Sequence, residues 1–539
     1  MSFPGRQSWV LLLLIVLVAL LARRIVPARL ARIAAWSDGP ALPILAGILA
    51  ASLTLWQWGG LHAEAVVYDE SAYLLQAELL AAGHWALPSP PVHEAFTQSA
   101  VLVTPVLAPK MPPGHALALV PGLLLHAPGL VPVILVGLTG ALLLLLVRKV
   151  AGAGAGTIAV ALWLTQAGQA RWRASYFSEN TTTALCLLGW YALLKWRATR
   201  HSGWLILLGI VTGWGAITRP LTMIAFTIPV AIVVIADTLR SRQWGPLLAA
   251  VGIGMLPLLA IPLQNSMVLG SWNATPLGLY TRQYVPFDKM GFGLDSTAPL
   301  LKVPPFIAAS NADFALRHRE HQPAALPQVL AQRLKFWWVA NFSLWRKLLA
   351  PILILGLIVM PVVVWVPVAS GVLLYISYLL YAHQPYWTLY YAEANPVWAA
   401  VLAMGVAWLL IESRAPQRTT ALGVIIGAGL LFWARPDLIR WRDANQDSQR
   451  KFLVFRRMLA EIPGDRILVF VRERADHDPH GSFVRNVADP NRARVIIAFD
   501  LGDAETDTIR KAFPDRMAFR WDEATNSVES LSGNSHPTP

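Results

Sequence analysis

Long apolar stretches recur along most of the chain, and each is about as long as a membrane-spanning helix. One further apolar stretch, at 114–127, is interrupted by proline and glycine and predicts only a partial span. The pattern therefore predicts an α-helical polytopic membrane protein with about twelve transmembrane helices. The predicted spans lie near residues 9–22, 41–58, 131–147, 153–169, 180–196, 203–218, 221–237, 247–264, 348–366, 368–383, 393–411 and 419–434.

The pattern changes after residue 434. The runs 466–471 and 494–500 are rich in β-branched residues and are bounded by polar turn segments, which predicts two strands. A helix is predicted near 503–512. We therefore expect a small C-terminal α/β domain at 435–539, after a transmembrane domain at 1–434 that carries two large loops, 59–130 and 265–347.

Composition supports the membrane assignment. Hydrophobic residues make up 55% of the 539 residues and charged residues only 14%, whereas soluble domains carry about 25% charged residues. Soluble multidomain, disordered, fibrous and disulfide-rich secreted classes are therefore excluded. The single cysteine, Cys186, rules out an intramolecular disulfide, and its apolar setting is typical of a helix-packing residue.

The net charge of +13 is unevenly distributed. The tail 435–539 holds 17 basic and 17 acidic residues, so all of the excess lies beside or between the apolar stretches. Short basic segments recur after every second predicted helix, which is typical of cytoplasmic loops. We therefore expect a bacterial inner-membrane protein with both large loops and the tail on the periplasmic or outer side. Nucleic acid is a poor fit as a partner.

Acidic residues are scarce in the membrane portion, yet the first large loop contains the pair Asp69-Glu70 directly after the second predicted span. Such a pair at the mouth of a helix bundle is suited to general-base catalysis or to binding a divalent cation. The alternative is that Asp69 or Glu70 caps an amphipathic helix at 70–82. The sequence alone leaves both interpretations open.

Two basic residues are candidate phosphate ligands. Lys110 begins the segment Lys110-Met-Pro-Pro-Gly-His115, whose prolines stiffen the chain where it returns to the bilayer. Arg219 lies in Thr218-Arg219-Pro220, on the side opposite the basic loops, and requires an anionic partner. Both occupy the outer interface, so we expect them to converge on one anionic site. The alternative for each is an ordinary interfacial anchor.

Two further clusters are predicted on the outer side. Arg171 lies with Arg173 and Glu179 in a short turn, and Tyr391 lies in a polar-aromatic segment at 383–393. Arg171 and Tyr391 are candidate substrate contacts, although aromatic residues at an interface also form the belt that anchors membrane proteins. A lone His383 is more typical of a satisfied polar residue than of a catalyst.

Taken in order, these segments resemble the GT-C class of polytopic membrane glycosyltransferases. The similarity is to the branch that contains the protein O-mannosyltransferases and the lipid A aminoarabinose transferase. It rests on Tyr68-Asp69-Glu70 with Tyr73, on Lys110-Met-Pro-Pro-Gly114, on Thr218-Arg219-Pro220 and, more loosely, on Tyr390-Tyr391-Ala-Glu-Ala-Asn-Pro396. Relatives in a bacterial subgroup carry a His-Tyr pair where this chain has Tyr390-Tyr391, so no catalytic role is carried over there.

The resemblance implies a hexosyl or pentosyl transferase that takes a sugar from a polyprenyl-phosphate-linked donor and inverts the anomeric centre. It implies that Asp69 is the general base, that Glu70 assists it or helps to bind a cation, and that Lys110 contacts the carrier phosphate. Tyr73, His115, Arg171, Arg219 and Tyr391 are then substrate-binding candidates. The acceptor is an envelope glycan, lipid or protein, and a divalent cation is the only cofactor implied, in some members.

Two other classes share these features. A transporter or flippase for a lipid-linked saccharide would have a similar number of spans and a phosphate-binding corner, but transporters commonly show internal repeats and polar residues at the midplane. No repeat is evident here, and the acidic residues cluster at the outer mouth. A non-catalytic envelope assembly protein that binds through its tail is the third interpretation.

Overall fold

A computed structural model describes residues 27–303, 305–341, 350–410, 416–474, 476–478, 480–490 and 492–531. The first predicted span, 9–22, lies outside the described residues. Most of the rest is helical, as the apolar pattern predicts, and the strands are confined to the first large loop and to the tail.

The described helices are α1 Pro27–Ser37, α2 Ala41–Trp58, α3 Tyr68–Ala81, α4 Pro113–Leu124, α5 Leu130–Leu164, α6 Ala170–Arg173, α7 Glu179–Thr199, α8 Ser202–Ala216, α9 Pro220–Ser241, α10 Trp244–Met255, α11 Ala260–Leu269, α12 Pro276–Tyr284, α13 Pro305–Glu320, α14 Leu326–Asn341, α15 Ala350–Val359, α16 Trp365–Tyr378, α17 Asn395–Leu410, α18 Pro416–Trp433, α19 Arg435–Glu461 and α20 Asp503–Ala512. The described strands are β1 Leu87–Pro88, β2 Val101–Leu102, β3 Val106–Pro109, β4 Ile467–Arg472, β5 Val495–Phe499, β6 Met517–Asp522 and β7 Ser527–Ser530.

The number of about twelve membrane-spanning helices stays a prediction. Within the described ranges, five helical segments are long and apolar enough, and the number reaches seven when each of two bent helix pairs is counted as one span. The predicted spans 131–147 and 153–169 are the two halves of α5, which separate at Gly152 (φ 86°, ψ 164°). The halves pack against each other, because an added Cβ at Gly156 would lie 3.0 Å from the Leu144 carbonyl oxygen. Several others, such as the 15-residue α8, are shorter than the approximately 20 residues that span a bilayer.

The chain divides into two compact units, and their boundaries differ from the predicted boundary at 434. The helical unit consists of Met1–Leu61, Gly129–Leu258 and Pro323–Gln446. The mixed unit consists of His62–Pro128, Leu259–Gln322 and Asp447–Pro539. The first loop, most of the second loop and the tail thus fold together in the mixed unit, instead of the tail forming a domain by itself.

Small residues let helices approach closely inside the helical unit. An added Cβ at Gly47 of α2 would lie 3.0 Å from the carbonyl oxygen of Gly137 in α5, and an added Cβ at Gly137 would lie 3.0 Å from the Gly47 oxygen. Gly154 and Gly423 make a similar contact between α5 and α18. Such contacts are typical of membrane helices, whose association depends on close van der Waals packing.

The tail forms the sheet of the mixed unit. Its strand order is β5-β4-β6-β7, with β4 parallel to both β5 and β6, and with β7 antiparallel at one edge. Five of the six residues of the central strand β4 are buried, which is typical of a parallel strand covered on both faces. One face packs against Phe452 and Phe455 of α19, and the other packs against Phe96 of the first loop and Ile509 of α20.

Candidate functional site

The structure shows that Glu70 contributes to capping the start of α3, the alternative role that the sequence left open for Asp69 and Glu70. Glu70 Oε2 accepts hydrogen bonds from the backbone N–H groups of Val66 (2.8 Å) and Val67 (3.0 Å), which precede α3. This is the reach-back half of a capping box, in which a glutamate at the third helical position satisfies donors at the helix start. Glu70 is buried and its contacts at the helix start are structural. The catalytic roles of Asp69 and Glu70 stay predictions.

The segment that carries Asp69 is held by the tail. The Tyr68 N–H donates to the His480 carbonyl oxygen (2.9 Å), and the two rings stack with centroids 5.4 Å apart. Arg485 donates to the Ala65 carbonyl oxygen (2.5 Å). Burial lowers the pKa of the Arg485 guanidinium to about 10, while the nearby carboxylate of Glu70 opposes that effect.

Other acids of the first loop also contact the tail. Glu64 forms a salt bridge to Arg456 at 2.8 Å, and burial raises its pKa against the effect of that arginine. Glu78 Oε2 accepts the N–H of Ala488 at 3.2 Å, and burial again raises its pKa. These carboxylates therefore orient the loop and are less suited to act on a substrate than Asp69.

A pocket next to Asp69 lies wholly within the mixed unit. It encloses about 400 Å³ of space, part of it open to solvent, within the range of small-molecule sites. We call it the Tyr280 pocket. It is lined by Tyr68, Ser99, Lys110, Tyr280, Val285, Phe287, Asp288, Ile307, Ser310, Asn311 and Phe314. Hydroxyl, amide, carboxylate and ammonium groups thus share the pocket with an apolar wall.

Lys110 enters this pocket from the end of β3. Its N–H donates to the Ala100 carbonyl oxygen (3.0 Å), and the next residue, Met111, accepts hydrogen bonds at its carbonyl oxygen from Gln76 and Gln264 (both 2.9 Å). Pro113 then begins α4. The Lys110 ammonium lies 4.5 Å from the centroid of the Tyr280 ring, a cation–π contact. The backbone of Lys110 is thus fixed while its charge faces the pocket.

Tyr280 connects the basic and acidic sides of the pocket. Its hydroxyl oxygen accepts the Ala100 N–H at 3.0 Å, which leaves the hydroxyl proton to be donated elsewhere. Burial raises the pKa of Tyr280, and the negative charges of Asp69 and Asp288 raise it further. Tyr280 is therefore the residue at which the charges of Asp69 and Asp288 and the Lys110 ammonium all act.

Tyr73 and His115, two predicted substrate contacts, are buried close to each other. Their rings pack edge to face with centroids 4.7 Å apart. His115 is fully buried and Tyr73 is 7% exposed. This contact joins α3 to the start of α4, so it holds the Asp69 helix against the segment that follows Lys110. The role of these two residues in binding substrate stays a prediction.

Arg219 lies in the helical unit among carboxylates. Its side chain forms salt bridges to Glu179 and, through Nε at 3.1 Å, to Glu393, and Nη2 donates to the Tyr378 hydroxyl at 2.8 Å. All three partners are buried, and the Arg219 side chain is only 13% exposed. The anionic partner that the sequence requires for Arg219 is thus supplied by its own chain. Phosphate binding at Arg219 stays a prediction.

The other two candidates in the helical unit differ in exposure. Arg171 is exposed and lies over the Trp172 ring at 5.4 Å, whereas the neighbouring Arg173 is buried and donates to the carbonyl oxygens of Trp163 and Leu164. Tyr391 is 1% exposed, and its hydroxyl lies 2.9 Å from His383 Nε2. His383 is therefore a satisfied polar residue, and Tyr391 belongs to the packed interior.

The described residues do not provide a metal centre around Asp69 and Glu70. In that part of the chain, no three His, Cys, Asp or Glu side chains converge in a way that could hold a metal ion. Glu70 is already bound to two backbone N–H groups. The acid pair therefore does not fit a divalent cation by itself, and no catalytic step below depends on one.

Sequence reasoning missed part of the Tyr280 pocket and the partners of Arg219. Tyr280 and Asp288 come from the second large loop, and no sequence signal links them to Asp69, which lies about two hundred residues earlier. Glu179 and Glu393 were noted only within local clusters. The available signal was that an ionisable residue inside an apolar chain usually pairs with another one. Glu179 and Glu393 are such residues and are the partners of Arg219.

The chain is a helical membrane protein with a mixed unit. The Tyr280 pocket of that unit is lined by a carboxylate (Asp288), an ammonium group (Lys110) and several aromatic rings. Its sequence matches no protein-family model and no curated protein. Among solved structures, it is similar to ArnT from Cupriavidus metallidurans bound to undecaprenyl phosphate, with 12% identity, a TM-score of 0.47, and coverage of 90% of this chain and 93% of ArnT. The archaeal oligosaccharyltransferase AglB from Archaeoglobus fulgidus, in complex with an inhibitory peptide and a dolichol-phosphate, is similar over 89% of this chain and 69% of AglB, with 12% identity and a TM-score of 0.38.

Both are GT-C glycosyltransferases, the class that the sequence motifs resemble. At 12% identity and TM-scores below 0.5, neither likeness carries the functional proposal, which rests on the residues of the Tyr280 pocket.

Proposed function

We propose that this protein is a membrane glycosyltransferase that moves a sugar from a polyprenyl-phosphate-linked donor to an acceptor in the cell envelope. The observation that carries the proposal is a pocket lined by Lys110, Tyr280 and Tyr68, the residue directly before Asp69. Glycosyl transfer from a lipid phosphate requires a proton acceptor for the incoming hydroxyl and a cation beside the leaving phosphate. In the proposed site Asp69 supplies the proton acceptor and Lys110 supplies the cation.

The proposed reaction is a displacement at the anomeric carbon. An acceptor hydroxyl oxygen forms a bond to that carbon while its proton passes to the Asp69 carboxylate. The bond between the anomeric carbon and the phosphate oxygen breaks, and the lipid phosphate leaves with the electron pair. Lys110 stabilises the negative charge that develops on that oxygen, and the Tyr280 hydroxyl is placed to donate to the same group. The displacement inverts the anomeric configuration.

A single substitution tests the role of Asp69. Asp69→Asn keeps the size of the side chain and removes the proton acceptor, so it should lower the transfer rate by about 10²–10⁴-fold while donor binding is retained. The assay uses purified protein and a panel of polyprenyl-phosphate sugars. Glu94→Gln is the matched control, because Glu94 is an exposed carboxylate of the same loop. Equal rates in wild type and Asp69→Asn would refute the proposal.

A lipid-linked saccharide transporter is the competing function, because the Glu179–Arg219–Glu393 cluster is a buried ionisable group within the helical unit. Such groups in membrane proteins often mark transport pathways. Detergent-solubilised protein separates the two functions: an enzyme transfers sugar to acceptor in detergent, whereas transport requires a sealed bilayer.

We further propose that the mixed unit lies on the periplasmic side of a bacterial inner membrane. The basic loops that the positive-inside rule assigns to the cytoplasm support this orientation. Ala309 is exposed in α13 and the only native cysteine is buried, so Ala309→Cys gives a clean labelling site. An impermeant thiol reagent should label it in cells with a permeabilised outer membrane. Labelling only after lysis would place this unit in the cytoplasm.

A further inference from the structure

The helical unit contains an apolar cavity next to α7. Its lining residues on α7 lie at least two turns after Glu179, which belongs to the Glu179–Arg219–Glu393 cluster. The cavity spans about 550 Å³ of space, part of it open at the surface of the unit, and its lining is almost wholly apolar, with Leu143, Val147, Leu194, Val364 and Ala400 among the lining residues. A cavity of this kind within a membrane protein does not hold water, because water needs polar partners. Acyl chains of bilayer lipids are the apolar groups that can occupy it.

Two breaks in the helices lie next to lining residues of the cavity. The two halves of α5 separate at Gly152, whose φ of 86° is outside the helical region, two residues after the lining residue Val150. The segments Pro351–Val359 and Val362–Tyr378 meet at an angle of 117°, directly before the lining residues Val363 and Val364.

The cavity lies next to side chains that face the lipid. Val362, at the sharp bend, is 84% exposed, and Ile358 is 75% exposed. In a membrane-spanning unit, exposed apolar side chains contact lipid chains. A chain from the surrounding bilayer therefore has an apolar path towards the lining residues.

Basic residues flank the same end of the cavity. Lys149 lies between the lining residues Val147 and Val150, and it is exposed. Lys195 directly follows the lining residue Leu194, with its ammonium 5.5 Å from the centroid of the Tyr191 ring. A lysine near the membrane surface attracts anionic lipid by about 1 kcal/mol. The charges at this end of the cavity complement a phosphate headgroup.

One buried polar atom in the lining also lacks a protein partner. The indole Nε1 of Trp190 has no hydrogen-bond partner within the described residues, and Trp190 is 5% exposed. Along α7, Trp190 lies about 7 Å below Lys195 at 1.5 Å per residue. An ester carbonyl of a glycerophospholipid lies at a similar depth below its headgroup and would accept the indole N–H.

We propose that this cavity is a binding site for an anionic glycerophospholipid, which places an acyl chain in the cavity and its headgroup phosphate at Lys149 and Lys195. This lipid is distinct from the sugar donor of the proposed function. It binds in the helical unit, whereas the proposed chemistry takes place in the Tyr280 pocket of the mixed unit.

Competition between lipids with identical acyl chains tests the proposal. Purified protein is incubated with equal amounts of phosphatidylglycerol and phosphatidylcholine, and retained lipid is measured by native mass spectrometry. Wild type should retain phosphatidylglycerol about 10–30-fold over phosphatidylcholine, as two lysine contacts imply. The double variant Lys149→Ala/Lys195→Ala should lose that preference, whereas Arg240→Ala, another exposed basic residue, should keep it.

A second variant tests the apolar part of the site. Ala400→Phe fills the cavity and should reduce retention of both lipids, whereas Ile232→Phe, on an exposed face of α9, should have no effect. Equal retention of the two lipids by wild type would overturn the proposal, and so would unchanged preference in the double lysine variant. The lysine variant leaves the core intact, so the test does not depend on Ala400→Phe folding.

Discussion

Lys110 and Arg219 are equivalent candidates in the sequence, but the structure gives them opposite surroundings. Arg219 forms salt bridges to two buried carboxylates of its own unit, Glu179 and Glu393. Lys110 lies over the Tyr280 ring in a pocket with hydroxyl and amide groups. A buried cation that already has two anionic partners stabilises the fold, whereas a cation on an aromatic wall is available to an incoming anion.

The largest expected effect is on folding, at Arg219. Arg219→Ala leaves Glu179 and Glu393 close together without their cation, and breaking a buried pair costs about 3–5 kcal/mol. Thermal unfolding of purified protein in detergent should show a large loss of stability. The exposed Arg240→Ala is the control. A stable Arg219→Ala protein with weakened donor binding would instead make Arg219 a phosphate ligand, as the sequence suggested.

Lys110→Ala should act on binding and leave the fold intact. Losing a charge-assisted contact costs about 1.5–3 kcal/mol, which corresponds to about 10–150-fold weaker binding of a polyprenyl phosphate. Stability should change by less than about 0.5 kcal/mol because the side chain faces the pocket. Titration with the lipid phosphate measures the affinity, with the exposed Lys302→Ala as control. Unchanged affinity would make Lys110 an interfacial anchor.

Tyr280→Phe should have a smaller effect on stability. The substitution removes the hydroxyl that accepts the buried Ala100 N–H, which costs about 1 kcal/mol. It keeps the ring under Lys110, so donor binding should fall less than in Lys110→Ala. The exposed Tyr386→Phe should be neutral in the same unfolding measurement. A loss of binding as large as that of Lys110→Ala would mean that the hydroxyl itself contacts the phosphate.

The smallest effect concerns pH. Burial raises the pKa of Glu78 above its ordinary 4.5, so the folded protein holds this proton more tightly than the unfolded chain. The folded state therefore loses stability as pH rises from 4.5 through the raised pKa. Glu78→Gln removes this loss and should unfold at a slightly higher temperature at pH 7, with the difference vanishing below pH 4.5. A difference that is the same at both pH values would contradict this explanation.

Local pattern explains which predictions agree with the structure. The runs at 466–471 and 494–500 and the helix near 503–512 coincide closely with β4, β5 and α20, because each is a short element with its own turn signals. The amphipathic helix predicted at 70–82 is α3, at Tyr68–Ala81. Strands β6 and β7 were missed because β6 mixes polar with apolar residues and β7 is exposed along its whole length, so pairing within the sheet defines them.

Long-range contacts explain which features of the candidate site could not be predicted from the sequence. Whether Asp69 or Glu70 caps α3 depends on how the chain enters the helix, and both residues suit a helix start. The pairing of Arg219 with Glu393 joins residues that are far apart in sequence, and so does the assembly of Tyr280 with Lys110. The scarcity of charge in the apolar chain drew attention to Arg219 and Lys110, but only the fold decides which residues they contact.

The assembly of the mixed unit from three separate chain segments has a consequence for biosynthesis. The Ala65 carbonyl oxygen, four residues before Asp69, receives its hydrogen bond from Arg485, 420 residues later. At about 5–20 residues per second, a ribosome needs about 20–80 s to make that interval. The acid loop therefore waits unfinished while the intervening helices are inserted, and a nascent chain that stops before the tail has no means of completing its candidate site.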